Sequence, residues 1–469
     1  MTARITFLHV SLLVLARLAM TAVVGLFGFD AVSDDDFARV VISQGFASTP
    51  KLDPSATSWL PFPFWLTGTA MILTKPTVVV AKILSVVLAC GSGLLVYGAA
   101  RLCKITPESA LLGTLGWTVV PTGVLLGAAT VPELPTAALC ASALLLLRRS
   151  DIASAFMASA LVFPATLSRY EAWPVAFCVA AATLRNAWKS DATRGALAAS
   201  LGVACLACLG PLSWMGWNHV AHGDALHFHA RVSSYWFAWG GASNIVDFWL
   251  TFAKPLAVDA IVLAVFVAAV AYNARHSPKI ITWWVPAISS VVVVAALIAA
   301  QCAGAAPTHH PDRSLLFLWA VGWMAVMDRG LTAKPLRYTL FAIVLLVSVA
   351  RTMILASNYG VHREDERRVG GWLRDHTQGR VLLVPKDYGY FATLAEMGPS
   401  DRLDLTCSLD PRDRSQPCRT ETDNELRDRM RTRQARWLVV SGEARAAART
   451  LGEARFEVGD WMVVEYNDP

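Results

Sequence analysis

Apolar stretches of about 20 residues, separated by short polar loops, recur along the first 360 positions of the chain. A run of that length crosses a hydrocarbon core roughly 30 Å thick. The pattern predicts spans over 5–29, 79–100, 109–130, 134–147, 152–168, 171–187, 196–217, 248–273, 281–301, 314–327 and 337–357. That makes an all-α polytopic membrane domain of about 11 transmembrane helices. The first run lacks a clean small-residue cleavage site and many spans follow it, so it reads as a retained helix rather than a signal peptide. Beyond Tyr359 the pattern changes. Strand-like runs over 380–384, 437–440 and 461–464 alternate with helical stretches near 363–376, 422–434 and 442–451. That alternation predicts a soluble α/β domain of about 100 residues. The expected division is a transmembrane domain over 1–360, with a first outer loop at 30–78, and an extracytoplasmic domain over 361–469.

Composition agrees with a membrane protein: 55% hydrophobic, 16% charged, mean hydropathy +0.46. Cationic residues fall in alternate loops, at Arg101 and Lys104, Arg148 and Arg149, Arg185 and Lys189, Arg275 and Lys279, and Arg329, Lys334 and Arg337. The positive-inside rule puts those loops in the cytoplasm. The remaining loops and the tail then face outward from a bacterial inner or plasma membrane, and every candidate polar site lands on that one side. The net charge of +6 fits basic cytoplasmic loops and an Arg-rich tail, and does not imply nucleic acid. Seven of the nine cysteines lie in or beside apolar runs, as small hydrophobes do. Cys407 and Cys418 lie in the polar tail, where an oxidising compartment allows them to form a disulfide.

The outward loops hold the candidate chemistry. Asp34, Asp35 and Asp36 follow the first span directly. Three adjacent carboxylates repel one another and are costly to desolvate. Capping a helix that begins at Phe37 would account for one of them. One as a general base, with its pKa raised by a neighbouring acid, would account for the cluster. Glu133, after Pro132, opens a later span, where the choice is between catalysis and helix-start electrostatics. Ser168-Arg169-Tyr170-Glu171 lies between two spans and could pair across a cavity, hold a charged ligand or anchor the interface. His309, His310 and Arg313 precede another span, and Arg313 has the fork geometry that clamps phosphate. Trp59, in the aromatic and Pro-rich part of the first loop, joins the candidate cavity residues. His219, His222, His227 and His229 invite a metal reading, but their spacing matches no signature. The aromatic run 235–239 reads as an interfacial belt or as a platform for a sugar or lipid. No P-loop, GxGxxG after a strand, HExxH or GxSxG is present. A glycosyl donor used outside the cell would have to be carried by a lipid.

Taken together, Asp34-Asp35 after the first span, Glu133 before a later one, Ser168-Arg169-Tyr170-Glu171 and His310-Pro311-Asp312-Arg313 resemble the C-type glycosyltransferases (GT-C). These are polytopic enzymes that use polyprenyl-phosphate-linked sugars; they include protein O-mannosyltransferases and lipid A aminoarabinose transferases. The resemblance implies inverting transfer of a hexose or pentose, with mannose the leading case, to a hydroxyl of a glycan, lipid or protein acceptor. It implies Asp34 or Asp35 as catalytic base and Glu133 as a second acid. It implies Arg313, Arg169 and His310 on the donor phosphate, with Asp36, Tyr170, Glu171, His309 and Trp59 lining the cavity. It leaves open a divalent metal, Mg or Mn, and links the tail to acceptor binding. Many members carry an Asp-Glu pair where this chain has three Asp, so the base stays open within 34–36. Two other readings compete: a polysaccharide polymerase or ligase using a lipid-pyrophosphate donor, and a transporter or flippase of lipid-linked sugars. The polymerase calls for a large Arg-rich outer loop, whereas 218–247 is rich in His and aromatics. Transporters place charge mid-bilayer, whereas here it clusters at one face.

Overall fold

The computed structural model describes residues 2–189, 193–238, 282–302, 311–328, 334–399, 401–410, 412, 418 and 422–466. The helices are, in chain order, α1 (Thr2–Leu26), α2 (Asp35–Ser48), α3 (Phe62–Leu73), α4 (Val78–Leu102), α5 (Pro107–Thr118), α6 (Pro121–Ala128), α7 (Glu133–Leu146), α8 (Ile152–Thr166), α9 (Ala172–Lys189), α10 (Arg194–His222), α11 (His227–Ala238), α12 (Trp284–Cys302), α13 (Pro311–Ser314), α14 (Leu316–Met327) and α15 (Lys334–Asn358). The tail adds α16 (Glu364–His376), β1 (Arg380–Leu383), α17 (Tyr390–Met397), β2 (Leu403–Leu405), α18 (Asp423–Arg433), β3 (Ala435–Ser441), α19 (Ala444–Arg449), β4 (Gly452–Val458) and β5 (Trp461–Tyr466).

Each expected span within the described residues falls on a helix; the one at 248–273 lies outside them. Length limits how many can cross alone. Among the described residues, α1, α4, α10 and α15 are long and apolar enough, and the pair α5–α6 adds a fifth if its 72° bend is one broken span. That break falls just before Pro121, which cannot donate an amide into a continuing helix. The runs at 134–147, 152–168 and 314–327 form helices of 14, 15 and 12 residues. The count of about 11 therefore stays an expectation, while the helical, membrane-embedded character holds. Sequence periodicity also left 30–78 as a loop, although it contains α2 and α3.

Contacts divide the chain into two compact units: Met1–Phe29, Ser55–Pro63 and Ser85–Tyr359 in one, and Asp30–Pro54, Phe64–Leu84 and Gly360–Pro469 in the other. In the helical unit, glycines let helices approach closely, as is usual where no water drives association. A Cβ on Gly116 would meet the Trp323 ring at 2.6 Å, and one on Gly210 would lie 3.2 Å from the Phe163 carbonyl and inside the Thr166 side chain. Several arginines are buried and bind backbone or side-chain oxygens. Arg17 donates to the Gly123 carbonyl at 3.1 Å, and Arg337 to Met327 O and Ser109 Oγ at 3.0 Å each. Arg148 pairs with Asp328 at 3.1 Å and lies over the Trp283 ring. The loop cations Arg148 and Arg337 therefore serve packing.

The other unit is built on a five-stranded sheet of order β2-β1-β3-β5-β4. Its first three strands are parallel, and β5 and β4 add an antiparallel edge. Side chains alternate between faces with the period of two that strands impose. Val381, Leu383, Val439 and Val463 pack with Val369 and Leu373 of α16. Leu382, Leu438, Val440 and Met462 pack with Leu426 and Met430 of α18. The expected strands are β1, β3 and β5; the short β2 and the charged β4 carried too weak a pattern to be read. A Thr422–Glu425 capping box starts α18. Cys407 and Cys418 form the disulfide. Segments of the first loop belong to this unit: Phe37 and Val40 of α2 pack with Met71, Val78, Ala392 and Ala395.

Two outcomes follow. Gly210→Ala should lower the thermal stability of the detergent-solubilised protein by about 1–3 kcal/mol through overpacking, whereas Gly216→Ala, with nothing within 4 Å of the added carbon, should be neutral or better. Alkylation followed by mass spectrometry should label Cys407 and Cys418 only after reduction.

Candidate active site

In the helical unit, three sequence-distant segments converge on one group of charges. Glu133 begins α7 and is 4% exposed. Arg169 lies in the turn between α8 and α9, and Arg313 in the one-turn helix α13. Arg169 donates through Nη1 to Glu133 Oε1 at 2.8 Å. Its Nε donates to Glu171 at 3.0 and 3.1 Å, and Nη2 closes the second arm on the same carboxylate. Ser314 Oγ donates to Glu171 Oε1 at 2.9 Å. Arg313 Nη1 stands 3.9 Å from Glu133 Oε1, and its Nη2 donates to Tyr359 Oη at 3.4 Å. Its Nε is buried and has no acceptor among the described residues. Burial alone would pull the Arg313 pKa down, but Glu133 and Tyr359 outweigh it and hold the group above its ordinary value. Two cations and two anions thus share a desolvated site, held as buried charges must be.

Tyr170 extends this group. Its hydroxyl donates to the Ser58 carbonyl at 2.7 Å and accepts from Trp214 Nε1 at 3.3 Å. Its ring stacks on Phe228 with centroids 5.0 Å apart and meets Trp173 edge-on. Phe62 N donates to Leu167 O at 3.0 Å, so the segment carrying half-buried Trp59 lies against the Arg169 turn. Tyr235 and Trp236 fall on α11, and Trp239 lies outside the described residues, as do His309 and His310. His222 and His227 stack with ring centroids 4.1 Å apart. Among the described residues, no group of three or more His, Cys, Asp or Glu converges, so His219, His222, His227 and His229 do not assemble a metal site there.

In the loop-tail unit the three aspartates have three different environments. Asp36 is 3% exposed, and its Oδ2 accepts from the Val32 and Ser33 amides at 3.1 and 3.2 Å. It closes the turn that leads into α2 and does not cap the helix's own amides. Asp34 holds the N-cap position but makes no cap bond with its side chain. Instead Arg363 grips it with two parallel bonds, Nε to Oδ1 at 2.9 Å and Nη2 to Oδ2 at 3.0 Å. Asp35, in the first turn of α2, is exposed. Burial would lower the Arg363 pKa, but the hydrogen bond and charge of Asp34, with Asp387 and Glu366, lift it well above its ordinary value. Sequence reading did not anticipate Arg363, Ser314, Tyr359 or Phe228. Arg363 and Asp34 are 329 positions apart, and no local pattern joins them.

No protein-family model and no curated protein match the chain. Solved structures do. ArnT from Cupriavidus metallidurans bound to undecaprenyl phosphate superposes with TM-score 0.63 at 14% identity, covering 98% of this chain and 97% of that one. The same ArnT in the apo state gives 0.62 at 15%, covering 97% of each chain. The Archaeoglobus fulgidus oligosaccharyltransferase in the apo form gives 0.51 at 13%, covering 94% of this chain and 71% of that one. At such identities the likeness is one of fold alone, shared with ArnT and with the oligosaccharyltransferase.

Proposed function

We propose that the chain is a membrane glycosyltransferase that moves a sugar from a polyprenyl-phosphate donor to an acceptor hydroxyl on the outer face of the membrane. The observation that carries this reading is the buried Glu133–Arg169–Glu171–Arg313 group on a fold shared with ArnT, a protein solved with undecaprenyl phosphate. Arg169 is engaged by two carboxylates, so in this proposal Arg313 is the main phosphate ligand. Its Nε and its loosely held Nη1 suit a phosphate oxygen better than the Arg169 fork does. A cation there would stabilise the charge that builds on the phosphate as it leaves.

The base belongs to the acidic loop. Arg363 occupies both oxygens of Asp34, and the buried Asp36 is held by two backbone amides. Asp35, exposed in the first turn of α2, suits the role best. It would take the proton of the acceptor hydroxyl as that oxygen attacks the anomeric carbon. The bond to the lipid phosphate breaks on the opposite side, so a single displacement inverts the configuration. Glu133 serves as the second acid, orienting the arginines. The sugar is a hexose or pentose, with mannose the first to test, and the acceptor a glycan, lipid or protein.

Transfer of label from polyprenyl-phosphate mannose, glucose or arabinose in proteoliposomes tests this. Wild type should release label from at least one donor, and Asp35→Asn should lose about 100-fold or more in kcat. Arg313→Lys should raise the donor KM about tenfold. No turnover of any donor by folded, lipid-bound protein would move the reading to a pyrophosphate-donor polymerase or a transporter. Separately, Arg169→Ala should destabilise the folded protein by about 3 kcal/mol in thermal unfolding, because it deprives two buried carboxylates of their shared cation. Arg313→Ala should cost less.

A further inference from the structure

Arg363 occupies an unusual place in the tail domain. In an open α/β sheet, the loops at the carboxyl ends of parallel strands beside a reversal of strand order are where ligands bind. Here β1 is flanked by β2 on one side and β3 on the other, and the loop after β1 carries Asp387 and Gly389. Asp387 does not face an outside ligand. Its Oδ2 accepts from Arg363 Nη1 at 3.1 Å, and its Oδ1 accepts from the Gly389 amide at 2.7 Å. Glu366 accepts from the same Nη1 at 3.1 Å. The two remaining guanidinium nitrogens that bind reach Asp34. A Cβ on Gly389 would sit 2.7 Å from Arg363 Cζ, so glycine is what lets the guanidinium lie flat against this loop.

Other contacts hold the same segment. Val361 N donates to the Ala31 carbonyl at 3.0 Å in an isolated antiparallel bridge. Arg367 and Lys82 both bind Asp30, at 3.1 and 2.7 Å. Gln44 Nε2 donates to the Ala395 carbonyl at 2.8 Å. The acidic loop is therefore seated on the tail domain by backbone, apolar and ionic contacts, and Arg363 reaches the acid triplet itself.

Building on the glycosyltransferase reading, we infer that Arg363 is a positioning residue: it holds Asp34 as an anchor and fixes the first turn of α2, on which Asp35 acts. The tail domain thereby contributes to the chemical step through one side chain, apart from any part in binding acceptor. The pair is bidentate and charge-assisted, a geometry that lysine cannot reproduce.

The test uses the full chain in proteoliposomes, with Arg363→Gln, Arg363→Lys, Gly389→Ala and Asp34→Asn, and the double variant Arg363→Gln/Asp34→Asn. Gly389→Ala keeps every charge and its backbone φ of −59° accepts alanine, so it displaces the guanidinium by shape alone. Each single variant should lower kcat per folded molecule about tenfold or more with donor KM within about twofold, and the double should be no worse than the worse single. Amide exchange over 31–40 should rise in Arg363→Gln and Gly389→Ala. Arg436→Gln, which breaks a surface pair with Glu465 in the same domain, should change neither readout. Wild-type kcat in Arg363→Gln and Gly389→Ala, losses that multiply in the double variant, or unchanged exchange over 31–40 would each overturn the inference. If wild type transfers no sugar from any donor, the glycosyltransferase reading falls, and the exchange measurement, which needs no turnover, still decides whether Arg363 holds the loop.

Discussion

A carboxylate removed from water has to meet a cation or a set of amide donors, because leaving it alone costs more than most contacts return. That requirement organises both units of this protein. In the helical unit, Glu133 and Glu171 are buried at helix starts and share Arg169, with Arg313 close behind. The turn between α8 and α9 and the short helix α13 are where they are because these four side chains must meet. In the loop-tail unit, Asp30, Asp34 and Asp36 are matched to Lys82 and Arg367, to Arg363, and to two backbone amides. Asp35 stands apart from its neighbours in being exposed.

This distribution turns a repeated residue into three distinct groups. Three adjacent aspartates are chemically alike in a free chain. In the fold, Asp36 is buried against two backbone amides, Asp34 is gripped by Arg363, and Asp35 is exposed, where an acceptor can reach it. Partners also separate the two arginines: Arg169 is gripped on both arms and organises the site, whereas the buried Nε of Arg313 has no acceptor among the described residues.

The apolar helices are held differently. Their contacts rely on glycines that let backbones approach and on buried arginines that bind carbonyl oxygens, Arg17 at Gly123 and Arg337 at Met327. Where no water is available, a free carbonyl at a bend or helix end needs a donor, and a long cationic side chain can bring one from a neighbouring helix. The end of α14 shows the need: Met327 is its last residue, and the Met327 carbonyl is met by Arg337.

Much of this was legible in the chain itself. Hydropathy located the helices, because a 20-residue apolar run has few other uses, and the change after Tyr359 marked the α/β tail. Glu133, Arg169, Glu171 and Arg313 could be singled out because charge beside an apolar span is costly enough to need a reason. Cys407 and Cys418 stand out in the sequence as the two cysteines outside the apolar runs, but that they are bonded to each other is decided by the fold. Helix lengths were less legible, since hydropathy does not see a two-residue break such as the one before Pro121. The helices α2 and α3 were hidden by the mixed polarity of 30–78. What sequence alone could not supply was partnership. Nothing local ties Arg363 to Asp34 or Ser314 to Glu171, and nothing local tells Asp34, Asp35 and Asp36 apart. A residue's type is written in the chain, but the protonation and reach of a carboxylate depend on which charges and amides surround it, and those are brought together only by the tertiary fold.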